Sequence, residues 1–375
     1  MLTSALYYLF LLAVTYQCLV YAYLALTLRR YATTLPDASS ESNGEEGVSI
    51  IVCAHNERSN LATLLPLLEE QRYGSYEIVI ADDRSTDGTY DYLLKEAQTS
   101  SRLRVVRIDE CPPGIQSKKY ALTQAIEAAH YDRLLLTDAD CMPHSSDWLR
   151  LMAHPLRRSI QFVLGYSPYH YRASDWLNRF IRYETLHTGF LYTAAAVMGR
   201  PYMGVGRNLA YRKLFFKKQG GFNDYRAVVG GDDDLWVNHH ATKNNVAIVL
   251  TKEALTYSIP KTSWSEYYYQ KKRHLHVGKH YRLADRIWLG LLSLSSILVW
   301  VLVIPLVFLC NEWEGIVALF LLRWFILAAA LSTAGRQLHD PIKLGLLPIL
   351  DFLHVMYYIV VGTLAFSAKD IRWTT

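Results

Sequence analysis

The sequence predicts an α/β domain with a mainly parallel sheet, inserted between membrane-spanning helices at the two ends of the chain. Long uncharged apolar stretches lie near both ends, and short apolar runs alternate with helical patterns between them. The chain has 375 residues, of which 51% are hydrophobic. This length accommodates one large domain and several spans, and the composition is too apolar for a disordered chain.

The first predicted span covers residues 5–28, which carry no charge and are followed by Arg29 and Arg30. A cleaved signal peptide has a shorter apolar region that follows basic residues, so we interpret this stretch as an uncleaved span. Basic residues flank the cytoplasmic ends of spans, which puts the end of this helix at the cytoplasmic side. We assign residues 1–30 to this N-terminal anchor.

Three further spans are predicted at 287–310, 315–335 and 344–367, because each stretch is long and apolar enough to cross a bilayer. The connection 311–314 is acidic, whereas 336–343 is basic. This bias predicts a multi-pass protein of the plasma or inner membrane, with the middle of the chain in the cytoplasm.

Polar residues interrupt two of these spans. The fourth contains Pro348, Asp351 and His354 and precedes a basic tail, so a re-entrant or interfacial segment is an alternative. Arg323 lies inside the third span, where it either faces a substrate path or pairs with a neighbouring helix, with Asp351 as the candidate partner.

The middle of the chain alternates strand and helix patterns joined by short polar loops. Such alternation is typical of a parallel sheet covered on both faces, whose ligands bind beyond the carboxyl ends of the strands. We assign residues 48–260 to this domain, 261–286 to an interfacial segment and 287–375 to the C-terminal helices. The predicted strands cover 48–53, 76–81, 103–108 and 133–137, and the predicted helices cover 59–71, 89–98 and 118–129.

Two acidic clusters carry the strongest chemical signal. Asp138 and Asp140 follow a predicted strand, and Asp232, Asp233 and Asp234 form a second cluster further along. Carboxylates at the end of a buried strand need a cation to stay ionised, and their hard oxygens suit Mg²⁺ or Mn²⁺ carrying phosphates. The clusters therefore indicate chemistry on a nucleotide-linked substrate. In the alternative, the first pair only caps a turn.

Other function classes find less support in the sequence. The five cysteines show no disulfide or metal-ligand spacing, and the 13 histidines include no His-Glu-x-x-His pattern, so a zinc hydrolase is unsupported. A formal net charge of +5 is accounted for by residues that flank the spans, which argues against a nucleic-acid partner.

Five motifs follow one another along the middle of the chain: Val48–Glu57, Ala81–Thr89, Lys118 with Ala121-Leu122, Asp138-Ala139-Asp140 and Gly231–Leu235. Each motif is common by itself, but the ordered set resembles the family 2 inverting glycosyltransferases over roughly residues 48–280. The resemblance implies a GT-A fold, which is a Rossmann-like nucleotide-sugar-binding domain, and a metal-dependent hexosyltransferase activity.

The resemblance also implies roles on the donor side. Lys118 would lie near the donor, whereas Lys119 is interpreted as a solvated helix residue. Asp138 and Asp140 would bind the metal ion, with Asp138 also contacting the donor. The nucleotide's base and ribose would be held by Ala54, Glu57, Asp82 and Asp83. Carboxylates at strand ends can accept hydrogen bonds from imide N–H groups and ribose hydroxyls, which supports this assignment chemically.

The second acidic cluster matches the family segment that supplies the general base, which takes the proton of the acceptor hydroxyl. Alignment on Gly-Asp-Asp favours Asp233, whereas alignment on Leu235 favours Asp232, so both are candidates. Asp234 would then cap or hydrogen-bond the following helix. Adjacent carboxylates raise one another's proton affinity, which suits a base.

Two further segments resemble family elements near the donor and acceptor. Gln270, Arg273 and His274 resemble a Gln-x-x-Arg-Trp motif, with histidine in place of tryptophan. The resemblance implies that the glutamine and arginine approach the donor diphosphate and that position 274 lies beside the acceptor. Arg207 and Asn208 belong to a glycine-containing loop that would also contact the acceptor.

These observations predict a membrane-anchored transferase that moves a sugar from a nucleotide-diphosphate donor, with UDP as the expected nucleotide, to a lipid or lipid-linked glycan at the cytoplasmic membrane face. A processive polysaccharide synthase, similar to cellulose or hyaluronan synthases, is an alternative that the Gln-x-x-Arg element keeps open. A non-catalytic membrane scaffold with a degenerate domain of the same fold is a second alternative, against which the intact acidic clusters argue.

Overall fold

The computed structural model describes residues 2–32, 46–156 and 159–364. These residues form two compact units. The sheet unit comprises the described residues up to 170 that follow the first helix, together with 198–260. The helical unit comprises 2–32, 171–197 and 261–364.

The regular elements are named in chain order. The strands are β1 (Val48–Ala54), β2 (Tyr76–Asp83), β3 (Leu103–Ile108), β4 (Arg133–Leu136), β5 (Cys141–Pro143), β6 (Phe162–Leu164), β7 (Leu209–Arg212), β8 (Val246–Ile248) and β9 (Thr256–Ser258). The helices are α1 (Leu2–Ala32), α2 (Arg58–Glu69), α3 (Thr89–Ala97), α4 (Ser117–Ala128), α5 (Trp148–Ala153), α6 (Trp176–Val197), α7 (Lys213–Lys218), α8 (Asp234–His240), α9 (Trp264–Val277), α10 (Leu283–Leu309), α11 (Trp313–Gln337) and α12 (Leu347–Tyr357).

The sheet unit is built on a mixed sheet of seven strands in the order β3-β2-β1-β4-β7-β6-β8. Strands β3, β2, β1 and β4 pair in parallel, whereas β7 runs antiparallel to both of its neighbours. The predicted α/β class is therefore confirmed, and each predicted strand and helix is present with its ends shifted by at most two residues. A separate two-stranded sheet pairs β5 with β9.

The core of the sheet unit follows directly from residue spacing. Leucines at positions 61, 64, 65 and 68 are all buried on one face of α2, as expected for a helical period. They share a cluster with Val48, Ile50 and Val52, which alternate along β1. All eight residues of β2 are buried, because a central parallel strand is covered on both faces.

The helical unit contains four stretches that are long and apolar enough to cross a bilayer, judged by length and composition. They cover Leu2–Tyr31, Leu283–Leu309, Trp313–Gln337 and Leu344–Gly362, and they match the four predicted spans. The last predicted residues of the fourth span and the basic tail lie outside the described residues.

A buried polar network joins these four stretches. Arg323 donates a hydrogen bond from Nη2 to Asp351 at 3.0 Å and one from Nε to Gln17 at 2.7 Å. The indoles of Trp300 and Trp324 donate to the same carboxylate at 2.9 and 3.1 Å. Of the two interpretations of Arg323, pairing with Asp351 is the one found, and it offsets the cost of a charge among apolar helices.

Candidate functional site

The candidate site begins where the parallel strands of the sheet unit end. Ala54 is the last residue of β1, and it pairs in register with Asp82 on β2. Asp83 closes β2, and Asp138 follows β4 after one further residue. Because parallel strands share one carboxyl edge, residues distant in the sequence meet there.

The two loops that follow β1 and β2 hold each other in place. Asn56 accepts a hydrogen bond from the Thr86 backbone N–H at 2.8 Å, and its own N–H donates to Ser85 Oγ at 2.9 Å. The N–H of Glu57 donates to Thr89 Oγ1 at 3.0 Å. Asn56 has a left-handed φ of 57°. A non-glycine residue keeps such a conformation only where its surroundings fix it, and these bonds supply that restraint.

The neighbouring aspartates of β2 differ in what they can still bind. Asp83 forms a two-point ion pair with Arg84, through Nε at 2.8 Å and Nη2 at 3.2 Å. Asp82 is buried, and its Oδ1 has no hydrogen-bond partner among the described residues. Burial also raises the pKa of Asp82. A buried acceptor without a donor is costly, so Asp82 is suited to receive a ligand N–H or hydroxyl.

Lys118, near the start of α4, links the two acidic clusters. Its Nζ lies 3.0 Å from Asp138 Oδ1 and 3.3 Å from Asp232 Oδ2. Burial opposes the charged ammonium, but Asp138, Asp232 and Asp233 outweigh it and raise the pKa of Lys118 well above its usual range. The first carboxylate of the Asp138-Ala-Asp140 pair and a predicted general base therefore face one permanent positive charge.

Asp138 and Asp140 have the donor set of a hard-cation site. One oxygen of each lies within 4.8 Å of the other and of Cys141 Sγ. Burial raises the pKa of Cys141 well above its usual range, and its sulfur lies 3.1 Å from Ser258 Oγ, so this thiol stays neutral. The two carboxylates thus fit Mg²⁺ or Mn²⁺, whereas the thiol does not contribute.

The second acidic cluster begins α8. Asp233 accepts hydrogen bonds from the Gly206 N–H at 2.6 Å and from the Asp234 N–H at 2.7 Å. Asp233 is the N-cap of this helix, and Asp234 hydrogen-bonds the helix as expected, since its Oδ1 accepts from the Leu235 N–H at 2.7 Å. Asp232 uses its carboxylate differently, since it faces Lys118.

The two base candidates also differ in proton affinity. Burial favours the neutral form of Asp232, but Lys118 and Lys119 outweigh it and hold the pKa of Asp232 below its usual value. For Asp233, burial and the charge of Asp232 raise the pKa to about 6. Asp232 is therefore ionised at neutral pH, and Asp233 gains a proton as the pH falls through about 6.

The predicted acceptor residues 207 and 208 have separate tasks. Arg207 donates to Ser258 Oγ at 2.8 Å, and its guanidinium lies 4.6 Å from the centre of the Tyr169 ring. Asn208 is fully buried and uses both amide N–H groups and its oxygen within the protein, with Tyr166 O, Ala254 O and Trp148 Nε1 as partners. These bonds give Asn208 a structural role in place of the predicted acceptor contact.

Lys119 is a further functional candidate, and its position differs from the solvated one expected from its sequence. It is buried, and its Nζ donates to the carbonyls of Tyr225 and Val228 at 3.0 and 2.6 Å and to that of Gly230. The interpretation as a solvated residue is therefore wrong. The helical period could have predicted this burial. Lys119 precedes the buried Leu122 by three residues and therefore lies on the inner face of α4.

The predicted residues Gln270, Arg273 and His274 belong to the helical unit. They lie on α9 at helical spacing and so share one face. The Oε1 atom of Gln270 is buried and has no hydrogen-bond partner among the described residues. The intervening Lys271 forms a buried ion pair with Glu184 of α6. The predicted contacts of this motif with donor and acceptor stay predictions.

Comparisons with known proteins match part of this chain to one family of enzymes. The family described as Glycosyl transferase family 2 matches residues 49–220. The chain is 34% identical over 107 residues to the Beta-monoglucosyldiacylglycerol synthase of Nostoc sp. (strain PCC 7120 / SAG 25.82 / UTEX 2576), a match covering 28% of this chain and 22% of that protein. It is 30% identical over 84 residues to the Putative teichuronic acid biosynthesis glycosyltransferase TuaG of Bacillus subtilis (strain 168), covering 22% of this chain and 33% of that protein. The matched part therefore spans only a fifth to a third of these relatives.

One solved structure is similar over the whole chain. The mannosyltransferase PcManGT from Pyrobaculum calidifontis, in complex with GDP-Man and Mn²⁺, aligns with a TM-score of 0.62 at 18% identity. The alignment covers 99% of this chain and 100% of that one. At this identity the likeness establishes the fold. Together with the match of the family model to residues 49–220, it confirms the predicted resemblance to glycosyl transferase family 2 and the predicted GT-A-like fold.

Proposed function

We propose that this protein is a glycosyltransferase, which moves a sugar from a nucleotide-diphosphate donor to a lipid or lipid-linked glycan with inversion at the anomeric carbon. The observation that carries the proposal is the position of Lys118, whose ammonium lies 3.0 Å from Asp138 and 3.3 Å from Asp232. A donor diphosphate at Asp138 and a proton-accepting carboxylate at Asp232 would thus lie close together, with the anomeric carbon between them, as a direct displacement requires.

The donor would bind along the carboxyl edge of the sheet. Asp82 offers a buried acceptor beside Ala54, where the imide N–H of a uracil ring would satisfy it. Glu57 and Asp83 would receive ribose hydroxyls. We therefore expect UDP as the nucleotide, and a guanine ring, which also carries N–H donors, is the competitor to be tested.

Asp138 and Asp140 would hold a Mg²⁺ or Mn²⁺ ion against the diphosphate. When bound, such an ion neutralises charge that develops on the departing group. Lys118 contributes a second positive charge at the same carboxylate, and its raised pKa keeps that charge in place throughout the neutral range. Both features favour the departure of a nucleoside diphosphate.

Asp232 is our candidate for the general base. Asp233 has the raised proton affinity expected of a base, but both of its oxygens already accept backbone N–H groups. Asp232 is ionised, and its carboxylate faces Lys118. In the reaction, the acceptor hydroxyl attacks the anomeric carbon while its proton passes to the carboxylate and the bond to the diphosphate breaks. A single displacement from the opposite side inverts the configuration.

The acceptor is proposed to reach the site from the cytoplasmic face of the membrane. Basic residues flank the end of α1 and the start of α10, which favours a cytoplasmic domain between them. The matched Nostoc relative is named Beta-monoglucosyldiacylglycerol synthase, and the Bacillus relative is named Putative teichuronic acid biosynthesis glycosyltransferase TuaG. Both names are compatible with an acceptor at a membrane surface.

The test uses the full-length protein in lipid nanodiscs with Mn²⁺ or Mg²⁺ and a panel of UDP- and GDP-sugars. We expect release of free nucleoside diphosphate with one donor, and transfer of label to a lipid extract. Asp140→Asn or a chelator should abolish both signals, whereas Lys217→Met on the exposed face of α7 should preserve them. Absence of release and transfer with every donor would refute the proposed function.

Processive synthesis is a second candidate, favoured by the arrangement of Gln270 and Arg273 on one face of α9. Product size separates the two candidates. A single added sugar after long incubation with excess donor supports single addition, whereas a ladder of increasing length supports polymerisation.

A further inference from the structure

The segment that precedes the second acidic cluster is held by one buried ammonium group. Lys119 is only 1% exposed. Its three N–H groups have three carbonyl acceptors, with Nζ at 3.0 Å from Tyr225 O, 2.6 Å from Val228 O and 2.5 Å from Gly230 O. No carboxylate of the described residues forms an ion pair with this ammonium, which is unusual for a buried lysine.

A second residue at the start of α4 holds the same segment. The backbone N–H of Gln116 donates to Arg226 O at 2.9 Å, and its Nε2 donates to Ala227 O at 3.2 Å. The carbonyls that are held in this way belong to residues 225, 226, 227, 228 and 230. A segment in which five of six successive residues have a carbonyl bonded to one helical turn is fixed by that turn.

The fixed segment leads into the candidate base through two glycines. Gly230 and Gly231 have φ values of 80° and 81°, in the left-handed region where other residues are strained. A Cβ on Gly231 would lie 2.6 Å from Leu235 Cδ1, so the backbone of this segment is also tightly packed. Only Gly231 separates the carbonyl held by Lys119 from Asp232, and a shift of the segment must therefore move that carboxylate.

We propose that Lys119 is a positioning residue, which holds Asp232 where it can take the acceptor proton, and this inference rests on the proposed function. Lys119 and Lys118 are adjacent, yet they act on different parts of the site. Lys118 contacts Asp138 and Asp232 directly, whereas Lys119 acts through the backbone before Asp232. Loss of the Lys119 ammonium should impair the transfer step and leave donor binding intact.

The environment of the ammonium adds a pH signature. The Tyr225 ring lies 5.1 Å from Nζ, and Asp232, Asp233 and Asp234 supply the nearby negative charge. Burial outweighs these charges and lowers the pKa of Lys119 to about 8. Above that pH the amine has two N–H groups for three carbonyls. The turnover rate should therefore fall as the pH rises through about 8.

The experiment compares Lys119→Met and Lys119→Arg with Lys217→Met, using the donor identified in the panel. Methionine keeps most of the length of the Lys119 side chain but has no N–H group to donate a hydrogen bond. We expect kcat to fall about 100-fold, as for a misplaced catalytic group, with the donor KM within about twofold of the wild type. Lys119→Arg keeps the charge but has a planar guanidinium, so kcat should fall about tenfold. The methionine variant should also lose the alkaline fall in rate.

The outcomes separate this inference from the function on which it rests. Two results for Lys119→Met would refute the positioning role, provided that the wild type transfers sugar. The first is a kcat within about threefold of the wild-type value. The second is a rise in donor KM as large as the fall in kcat. If the methionine variant fails to fold, the arginine variant decides, and an unchanged kcat there refutes the role. A wild type without transfer on any donor overturns the proposed function itself.

Discussion

At the residue scale, adjacent aspartates acquire different chemistry from their neighbours. Burial disfavours the charged form of both Asp232 and Asp233. Only Asp232 has Lys118 within ion-pair distance, so its carboxylate is ionised, whereas Asp233 is held by two backbone N–H groups. Different neighbours therefore make one of two identical side chains an ionised carboxylate, which is our proposed base, and the other a helix cap.

Substitution of each aspartate tests this division. Asp232→Asn removes the carboxylate at nearly constant size, and we expect kcat to fall by at least about 100-fold with little change in donor KM. Asp233→Asn keeps one oxygen for one of the two N–H groups, and kcat should fall only about tenfold. Steady-state kinetics at saturating metal provides the measurement. If kcat falls further in Asp233→Asn than in Asp232→Asn, then Asp233 is the general base and Asp232 is the supporting residue.

The raised pKa of Asp233, about 6, predicts an acidic limit to activity. Below this pH the protonated carboxyl accepts hydrogen bonds less well, so the tie to Gly206 weakens. The rate should rise as the pH increases through about 6, and Asp233→Asn should flatten that rise. The contribution of Asp233 to the free energy of unfolding should instead fall as the pH rises from 3.8 to about 6, because the native state binds this proton more tightly than the unfolded chain. A pH profile of kcat between 5 and 7.5 that is unchanged by the substitution would contradict the assignment.

At the scale of elements, periodicity accounts for most of what could be predicted. Helices α2 to α4 and strands β1 to β4 carry clear patterns, and the parallel topology then brings their carboxyl ends together. Strand β7 has four residues and pairs antiparallel with β4. Strand β4 is equally short, but it is an apolar run that leads into an acidic pair, whereas β7 has no such signal and its antiparallel partner depends on the tertiary fold.

The same limit applies to the site. Asp138 and Asp82 could be predicted because they lie at or just beyond the carboxyl ends of patterned strands. The cap formed by Asp233 and the buried amide of Asn208 could not, since both depend on where the loop before β7 lies relative to α8 and β9. Lys119 was assigned by residue type, although its spacing placed it among the inward-facing residues of α4.

At the scale of the whole molecule, the helical unit depends on a few polar contacts. Apolar helices gain little hydrophobic energy from one another within lipid, so buried hydrogen bonds and packing contribute to specificity. The network around Arg323 and Asp351 involves α1, α10, α11 and α12. Each of the four candidate spans thus contributes at least one side chain.

Removal of one partner should destabilise this unit more than removal of both. Arg323→Met leaves the Asp351 carboxylate buried without its cation, and we expect a loss of about 3–5 kcal/mol in the free energy of unfolding. The double variant with Asp351→Leu removes the unpaired charge and should recover most of it. Unfolding by increasing SDS in mixed micelles, followed by tryptophan fluorescence, measures both. A double variant that loses the sum of the two single effects would disprove coupling.

The side chain of Gln17 has a consequence for biosynthesis. It donates to Ser295 and Ser296 at 3.1 and 3.0 Å and accepts from Arg323, so its partners lie hundreds of residues downstream. During translation we expect the first helix to enter the bilayer with this amide unsatisfied, because the ribosome must finish the whole sheet unit before the partners of Gln17 emerge. The anchor is thus completed last, and a chain truncated before the third span would leave a membrane segment that quality control can recognise by its unmet polar group.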